Sequence, residues 1–460
     1  MTRRDHREEL NPTRPLATDS LPHAANAVLS NAVLNNYVVG FFGRRDYYQV
    51  AVALAAEGRL EKLVTDAYCP DILARHLGLL PERARRKALL RRAPGLSSRS
   101  VSVPDAVALV GAEATRWIRR GSCRISLDAL LGRQVARRTV AAGCGAVVYG
   151  YHWEGFIEAA AAYEAPAPRL VFLSDALPSQ LRDAIQLDRA VTGSEEGKLP
   201  AEVLTASEVL YQEQTLLKAD GAIVPSSYIR EGLVSRGMLP ARVKVVPYGG
   251  DLTVRPNSPR GGWVPASYGT STGLRVLWIG QLTYRKAPHH LAAALEKLGK
   301  GDVTLTVATY HKGAVDPFAN VPCRVRWVQR AGAADLLRLF HANDVLVLPT
   351  LAEGFGLVYV EALYAGLPVI ATRRSGGPDV VSHGVNGLLV DAGDPSALSD
   401  AIRKLVDNPE LVAHLKDGAR VTGSQWTWSR FRSNVITAIE ELEGEFYGNA
   451  NHRGANRNTS

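Results

Sequence analysis

Residues 351–370 run Leu-Ala-Glu-Gly-Phe-Gly-Leu-Val-Tyr-Val-Glu-Ala-Leu-Tyr-Ala-Gly-Leu-Pro-Val-Ile. The apolar run Val345 to Leu348 before them has the length and composition of a buried strand. Glu353-Gly354-Phe355-Gly356 reads as a glycine-loosened turn and Leu357 to Ala365 as a helix closed by Gly366. Pro368 bars that helix from continuing. Strand, glycine turn, helix and a further apolar run at Val369-Ile370 form the repeating unit of a parallel sheet.

The same stretch carries chemistry. Amides of the first helical turn, around Phe355 to Leu357, bear partial positive charge and can receive an anion such as a diphosphate. Gly354 and Gly356 let that backbone approach closely. Glu361, one turn into the helix, would repel a phosphate but suits the two hydroxyls of a ribose. Glu353, on the turn before the phosphate seat, suits the hydroxyls of a transferred sugar. Together these roles describe a nucleotide-sugar donor site. Taken singly, each glutamate also fits an ordinary solvent-facing or capping residue at a helix start, so the surrounding pattern has to decide.

Glu353, seven residues, then Glu361, followed by Ala365-Gly-Leu-Pro-Val-Ile-Ala-Thr372 and Asn386-Gly-Leu-Leu-Val390, resembles the retaining glycosyltransferases of family 4. The resemblance covers most of residues 220–430. It implies the α/β architecture termed GT-B: two facing Rossmann-like domains with parallel sheets and a deep interdomain cleft. Pro247-Tyr248-Gly249-Gly250-Asp251 resembles the family's Pro-x-Gly-x-Asp hinge. Trp428, Phe431, Val435, Ile439 and Leu442 stand at helical spacing within Trp426 to Phe446, the place of the family's last helix, which crosses back to the first domain.

Strand-like runs alternate with helical segments twice over, at Val38–Phe42, Leu63-Val64, Ala146–Tyr149, Leu170–Leu173, Ala222–Val224 and Val243–Val246, then at Leu274–Ile279, Val303–Val307, Val345–Leu348, Val369-Ile370 and Leu388–Val390. Such alternation implies parallel sheets covered by helices, with ligands outside the carboxyl ends of the strands. The expected layout is a polar, disordered tail over 1–30, an acceptor-side domain over 31–251, a Pro/Gly/Ser-rich linker over 252–272, a donor-side domain over 273–425, the crossing helix over 426–446 and a disordered tail over 447–460.

Ile279-Gly-Gln-Leu-Thr-Tyr-Arg-Lys-Ala-Pro288 follows the first strand of the second domain. Two adjacent cations in a short turn suit a diphosphate, Lys286 as a point charge and Arg285 as a planar two-pronged donor. The resemblance places Lys286 at the family's lysine, but Gln281 stands where the family commonly has Arg, and Ala287 where it has Gly. Arg285 then supplies the charge that Gln281 lacks. The resemblance also implies backbone contacts to the nucleotide base around Val328 and Arg330, with Gln329 replacing a usual glycine. On the acceptor side, Gly43, within Phe41-Phe-Gly-Arg-Arg-Asp46 after the first strand, faces the cleft in this reading. The family's first-domain histidine has two candidate counterparts, His152 in Tyr151-His-Trp-Glu154 and Asp175 after Leu173-Ser174, each equally readable as a structural residue at a strand end.

Composition bounds what else is possible. At 460 residues the chain exceeds one ordinary core, and 46% hydrophobic with 22% charged residues is the balance of a globular protein. Apolar runs are strand-length, so no membrane span is expected, and residues 1–30 lack the apolar core of a secretory signal. Cys69, Cys123, Cys144 and Cys323 show neither paired nor zinc spacing, which points to reduced thiols in a cytoplasm. The net charge of +9 is concentrated at residues 83–92, where Arg83, Arg85, Arg86, Lys87, Arg91 and Arg92 fit either a solvated helix face or peripheral contact with the anionic inner face of a membrane. No nucleic-acid motif is present.

No Asp-x-Asp occurs, so the leaving diphosphate is expected to be neutralised by Lys286, Arg285 and helix amides, with neither metal nor cofactor. No first-domain nucleophile is evident, which suits a same-face displacement with retention. Gly193-Ser-Glu-Glu-Gly-Lys198 fails the Walker spacing, and neither a Gly-x-Gly-x-x-Gly nor a Gly-x-Ser-x-Gly elbow follows a strand. The expected activity is hexose transfer from a nucleotide-diphosphate sugar to a glycan, a lipid-linked or a small-molecule acceptor. The alternatives are a sugar-nucleotide epimerase or phosphorylase of the same fold, or a noncatalytic donor-binding subunit serving a partner transferase.

Overall fold

A computed structural model describes residues 35–41, 48–65, 96, 100–102, 124–149, 153–161, 167–192, 204–250, 273–299, 303–310 and 315–457. Gly43, His152, the basic stretch 83–92, the tail 1–30 and the linker 252–272 lie outside the described residues. The first domain runs β1 (Tyr37–Gly40), α1 (Gln49–Ala56), β2 (Leu60–Val64), β3 (Val101–Ser102), α2 (Arg124–Ala142), β4 (Gly145–Tyr149), α3 (Trp153–Ala161), β5 (Arg169–Phe172), α4 (Pro178–Thr192), α5 (Ala206–Leu216), β6 (Gly221–Val224), α6 (Ser227–Ser235) and β7 (Val243–Val245). The second runs β8 (Leu274–Ile279), α7 (Pro288–Leu298), β9 (Val303–Thr309), β10 (Arg324–Gln329), α8 (Ala333–Ala342), β11 (Val345–Leu348), α9 (Leu357–Tyr364), β12 (Val369–Thr372), α10 (Gly377–Val380), β13 (Gly387–Val390), α11 (Pro395–Asp407), α12 (Pro409–Gly423) and α13 (Trp428–Arg457).

The strands form two wholly parallel sheets, ordered β3-β2-β1-β4-β5-β6-β7 and β10-β9-β8-β11-β12-β13. Parallel neighbours need crossover connections, and the helices that supply them bury both sheet faces. Central strands are therefore apolar throughout: every residue of β1, β4, β6, β11 and β12 is buried. In each sheet the winding reverses once, at β1/β4 and at β8/β11, and each reversal opens a crevice beyond the strands' carboxyl ends.

Two strands escape the sequence reading for a physical reason. β3 has only two residues. β10 is an edge strand whose Arg324 and Gln329 are exposed, so its charged composition hides it.

The last helix differs from expectation at both ends. It begins at Trp428 and continues through Arg457, past the Phe446 at which the sequence reading ends it, so residues 447–457 are helical where a disordered tail was expected. Trp428, Phe431, Val435, Ile439 and Leu442 are buried as one stripe. Beyond the stripe, Glu443 accepts from Arg59 Nη2 at 2.8 and 2.9 Å, from Tyr37 Oη at 3.0 Å and from Asn35 Nδ2 at 2.8 Å. Asn35 Nδ2 also donates to Tyr447 Oη at 2.9 Å, an anchor to the first domain beyond Phe446. Among the described residues no helix is long and apolar enough to cross a membrane. Cys144 and Cys323 carry free thiols.

Candidate active site

The loops after β8 and β11, adjacent at the second crevice, are pinned to each other by Leu351 N–H and Thr350 Oγ1, both donating to the Arg285 carbonyl at 2.9 and 3.0 Å. That pinning aims the short turn Tyr284–Lys286 at Glu353. Arg285 Nη1 donates to Glu353 Oε2 at 2.5 Å, and Lys286 Nζ donates to the same oxygen. Glu353 is only 7% exposed. The structure thus brings together the three residues assigned to phosphate and sugar, with the carboxylate held by both cations.

Next to them α9 begins at Gly356, whose φ of 89° is costly for any residue with a Cβ. No side chain caps α9, so its N-terminus presents positive dipole, although the Tyr359 amide already donates to the Gly356 carbonyl at 2.8 Å. Phe355 contributes backbone only, because its ring is buried edge-on to Tyr248 at 5.5 Å in the hinge. Leu357 is half-buried at the helix start, and Glu361 is 4% exposed. The hinge lies directly on this helix: a Cβ on Gly250 would sit 2.3 Å from the Val360 carbonyl oxygen.

Ala287, where the family favours glycine, has φ 47° and ψ 48°. This left-handed geometry explains the glycine preference and costs an alanine on the order of 1 kcal/mol. Its methyl is fully buried in a small cluster formed by Ala184 and Ile185 of α4 with Tyr284, Leu351 and Ala352. The departure from glycine thus adds apolar contact between the domains.

The first domain meets this site through contacts that the sequence alone did not reveal. Asp175, half-buried after β5, accepts from Ser174 Oγ at 3.3 Å, and a Cβ on Gly354 would lie 2.6 Å from Asp175 Cα. Asp175 therefore borders the Glu353 turn. Ser226 Oγ donates to the Gly354 carbonyl at 2.5 Å. Ser227 donates to Asp379 from its amide at 3.0 Å and from its hydroxyl at 2.5 Å, while burial pushes the Asp379 carboxyl above its ordinary value. Asp188 of α4 meets His289 and His290 of α7. The usable signal was the His-His pair directly after the Arg-Lys turn; Ser226, Ser227 and Asp379 read only as helix-start residues.

The other candidates lie further out. Gln281 is exposed. Val328 has its side chain in the core, and Arg330 at the end of β10 has φ 56° with its guanidinium 5.5 Å over the Tyr310 ring. β10 is two strands from β8, roughly 10 Å across the sheet from the strand that leads into the cation turn.

Two parallel sheets with the Rossmann winding, joined by a hinge and a returning C-terminal helix, define the GT-B class of fold. Solved structures agree on the fold. Sucrose-phosphate synthase from Thermosynechococcus elongatus superposes with TM-score 0.58 at 17% identity, covering 89% of this chain and 99% of that one. Anabaena HepE in complex with UDP and glucose superposes with TM-score 0.57 at 15% identity, covering 88% and 100%. Residues 269–422, which hold the cation turn and both glutamates, match the family described as glycosyl transferases group 1. A D-inositol 3-phosphate glycosyltransferase of Saccharomonospora viridis is 29% identical over 263 residues, 53% of this chain and 61% of its own. One of the same name from Corynebacterium jeikeium is 35% identical over 130 residues, 28% of this chain and 30% of its own. The chain thus matches less than two thirds of the length of these curated relatives.

Proposed function

We propose that this protein transfers a hexose from a nucleoside-diphosphate sugar to a hydroxyl acceptor, with retention and without a catalytic divalent ion. The observation that carries the reading is the convergence of Arg285, Lys286 and Glu353 beside the uncapped start of α9, with Glu361 buried in the same helix. The two cations suit the diphosphate, and their charge opposes the negative charge that develops on the leaving group. In this role they do what a bound divalent ion does elsewhere. Glu361 takes the ribose hydroxyls, Glu353 the sugar hydroxyls, and the end of β10 the base. Asp175 borders the sugar from the acceptor side. The donor's own phosphate takes the acceptor proton on the face it leaves, which conserves configuration at the anomeric carbon.

The acceptor class keeps its three forms: a glycan, a lipid-linked glycan at a membrane face, or a small molecule. The names of the curated relatives make a phosphorylated polyol the first small molecule to try.

The test is a calorimetric and thermal-shift screen of UDP-, GDP-, ADP- and TDP-sugars in EDTA, on the wild type and on Glu361→Ala. A ligand at a hundredfold excess over its Kd should add about 2.7 kcal/mol to the native state. Binding of one nucleotide class by the wild type, lost in the variant, supports the donor site. Binding that survives Glu361→Ala, or none at all, removes it. Retention is read separately from the anomeric proton coupling of the product by NMR.

A further inference from the structure

Asp188 on α4 and His289 and His290 on the first turn of α7 form the one grouping of metal-ligating side chains found among the described residues. Their ligand atoms all lie within 4.8 Å of one another. Asp188 Oδ1 lies 2.5 Å from His290 Nε2, and Oδ2 lies 3.2 Å from His289 Nε2. Asp188 and His290 side chains are each 2% exposed, whereas His289 at 24% leaves a way in. We propose that these three residues bind one borderline first-row divalent ion of the Zn2+ class, which staples the first domain to the second. The inference stands independently of the donor-site reading.

Several observations fit an ion here. One carboxylate with two imidazoles is a ligand set suited to Zn2+, Co2+, Ni2+ or Fe2+, and it lacks the oxygen-rich shell that Mg2+ and Ca2+ require. Bonds of about 2 Å at tetrahedral angles put ligand atoms about 3.3 Å apart. Oδ2 of Asp188 already stands at that spacing from His289 Nε2, Oδ1 needs to open by about 0.8 Å from His290 Nε2, and one ligand atom from each residue lies within 4.8 Å of the other two. Nδ1 of each imidazole is buried with no hydrogen-bond partner, so no neighbouring carbonyl or amide ties the rings to one tautomer. The Arg189 guanidinium, adjacent in α4, lies over the Tyr284 ring at 5.2 Å.

The ion's place gives it a consequence. α4 belongs to the first domain, while α7 follows the Arg285-Lys286 turn. An ion here ties the turn that holds Glu353 to the opposing wall.

The test uses the full chain, stripped with EDTA and then titrated with Zn2+ and Co2+. Expected are one ion per chain, visible Co2+ absorption, and a rise in the unfolding midpoint. At least a tenfold loss of Zn2+ affinity is expected in His289→Ala and Asp188→Asn, each checked by circular dichroism. His289→Ala removes the most exposed of the three side chains and should disturb folding least. Co2+ absorption lets occupancy be read even where a variant's stability changes. Scattering should show the zinc-loaded wild type holding one compact arrangement, with Asp188→Asn indifferent to zinc. Absence of binding, binding that the two substitutions leave unchanged, or a Co2+ spectrum identical in wild type and His289→Ala overturns the proposal.

Discussion

Gly354→Ala probes the contact between the two walls of the cleft in isolation. The added Cβ would stand 2.2 Å from the Ser174 carbonyl oxygen, 2.6 Å from Asp175 Cα and 2.8 Å from the Ser174 carbonyl carbon. All three are backbone atoms, so no flexible side-chain end can swing aside. Ordinary contact begins at 3.4 Å, so the loop after β5 and the Glu353 turn must part by about 1.2 Å. Overpacking of this kind costs about 1–3 kcal/mol. Neither domain's own sheet is touched, so the cost falls on the closed arrangement, and 1–3 kcal/mol corresponds to a shift of about 5- to 150-fold toward open forms. Parting the walls also breaks the 2.5 Å bond from Ser226 Oγ to the Gly354 carbonyl. The expected result is a larger radius of gyration by small-angle scattering, sugar transfer reduced by about 5- to 150-fold, and secondary structure unchanged by circular dichroism. Gly444→Ala is the control, since a Cβ there meets nothing within 4 Å. A Gly354→Ala protein with wild-type scattering and wild-type turnover refutes the reasoning.

Three further outcomes can be stated. Glu353→Gln removes the negative charge held by Arg285 and Lys286, so calorimetry should show a sugar-free nucleoside diphosphate binding about tenfold tighter, equivalent to about 1.4 kcal/mol, while transfer falls; weaker nucleotide binding contradicts this. Asp344 accepts from Arg275 and from Lys416, and although burial alone would raise its carboxyl, those donors bring it down to about 2. Its contribution, about 2 kcal/mol at neutral pH, is complete above the unfolded value near 4 and is lost as pH falls toward 2. Urea unfolding should therefore show Asp344→Asn less stable than wild type at pH 7 by that amount, with the gap narrowing below pH 4; a gap independent of pH counts against it. Glu443→Ala leaves Arg59, whose side chain is 4% exposed, with a hydrogen bond to the Asn35 carbonyl at 3.1 Å but only a long ion pair, to Glu440 at 3.6 Å, so thermal unfolding should register a loss of about 3 kcal/mol, and a loss under about 1 kcal/mol would show the helix clamp to be incidental.

Much of this was legible in the residues because the second domain is built from long local signals. Val345–Leu348, the Gly356 turn and the helix up to Gly366 are each coded by neighbours in sequence, and the structure reproduces them within a residue. The Arg285-Lys286 turn could be placed for the same reason. What stayed hidden depends on distant partners. Nothing near Asp188 announces that it meets histidines about a hundred residues on, and Ser226 caps α6 whether or not its hydroxyl reaches Gly354. β10 was missed because an edge strand need not be apolar. α13 was cut short because residues 447–457 look like a polar tail, while the Asn35–Tyr447 bond that anchors the helix beyond Phe446 spans nearly the whole chain.

The pairing of Glu353 with both cations changes how the proposed reaction should be read. Arg285 and Lys286 are adjacent and partly buried, and without a counter-charge they would repel each other in a poorly solvated turn. Glu353 supplies that counter-charge when no donor is bound. A diphosphate that takes over the cations removes Arg285 and Lys286 from a carboxylate that is 7% exposed. Such an exchange is favourable only if the carboxylate gains new hydrogen-bond donors, and on the proposed reading the hydroxyls of the attached sugar are those donors. On the proposed reading, a nucleoside diphosphate without its sugar takes the two cations from Glu353 and offers it no hydroxyls in return, so the bare nucleotide is expected to bind less well than the donor. The same logic runs forward through the reaction. Once the hexose has left, Glu353 again competes for Arg285 and Lys286 and expels the diphosphate. On this account Glu353→Gln should slow release of the nucleotide product as well as weaken the hold on the sugar. A burst of product followed by a slow steady state is the kinetic form that this coupling takes.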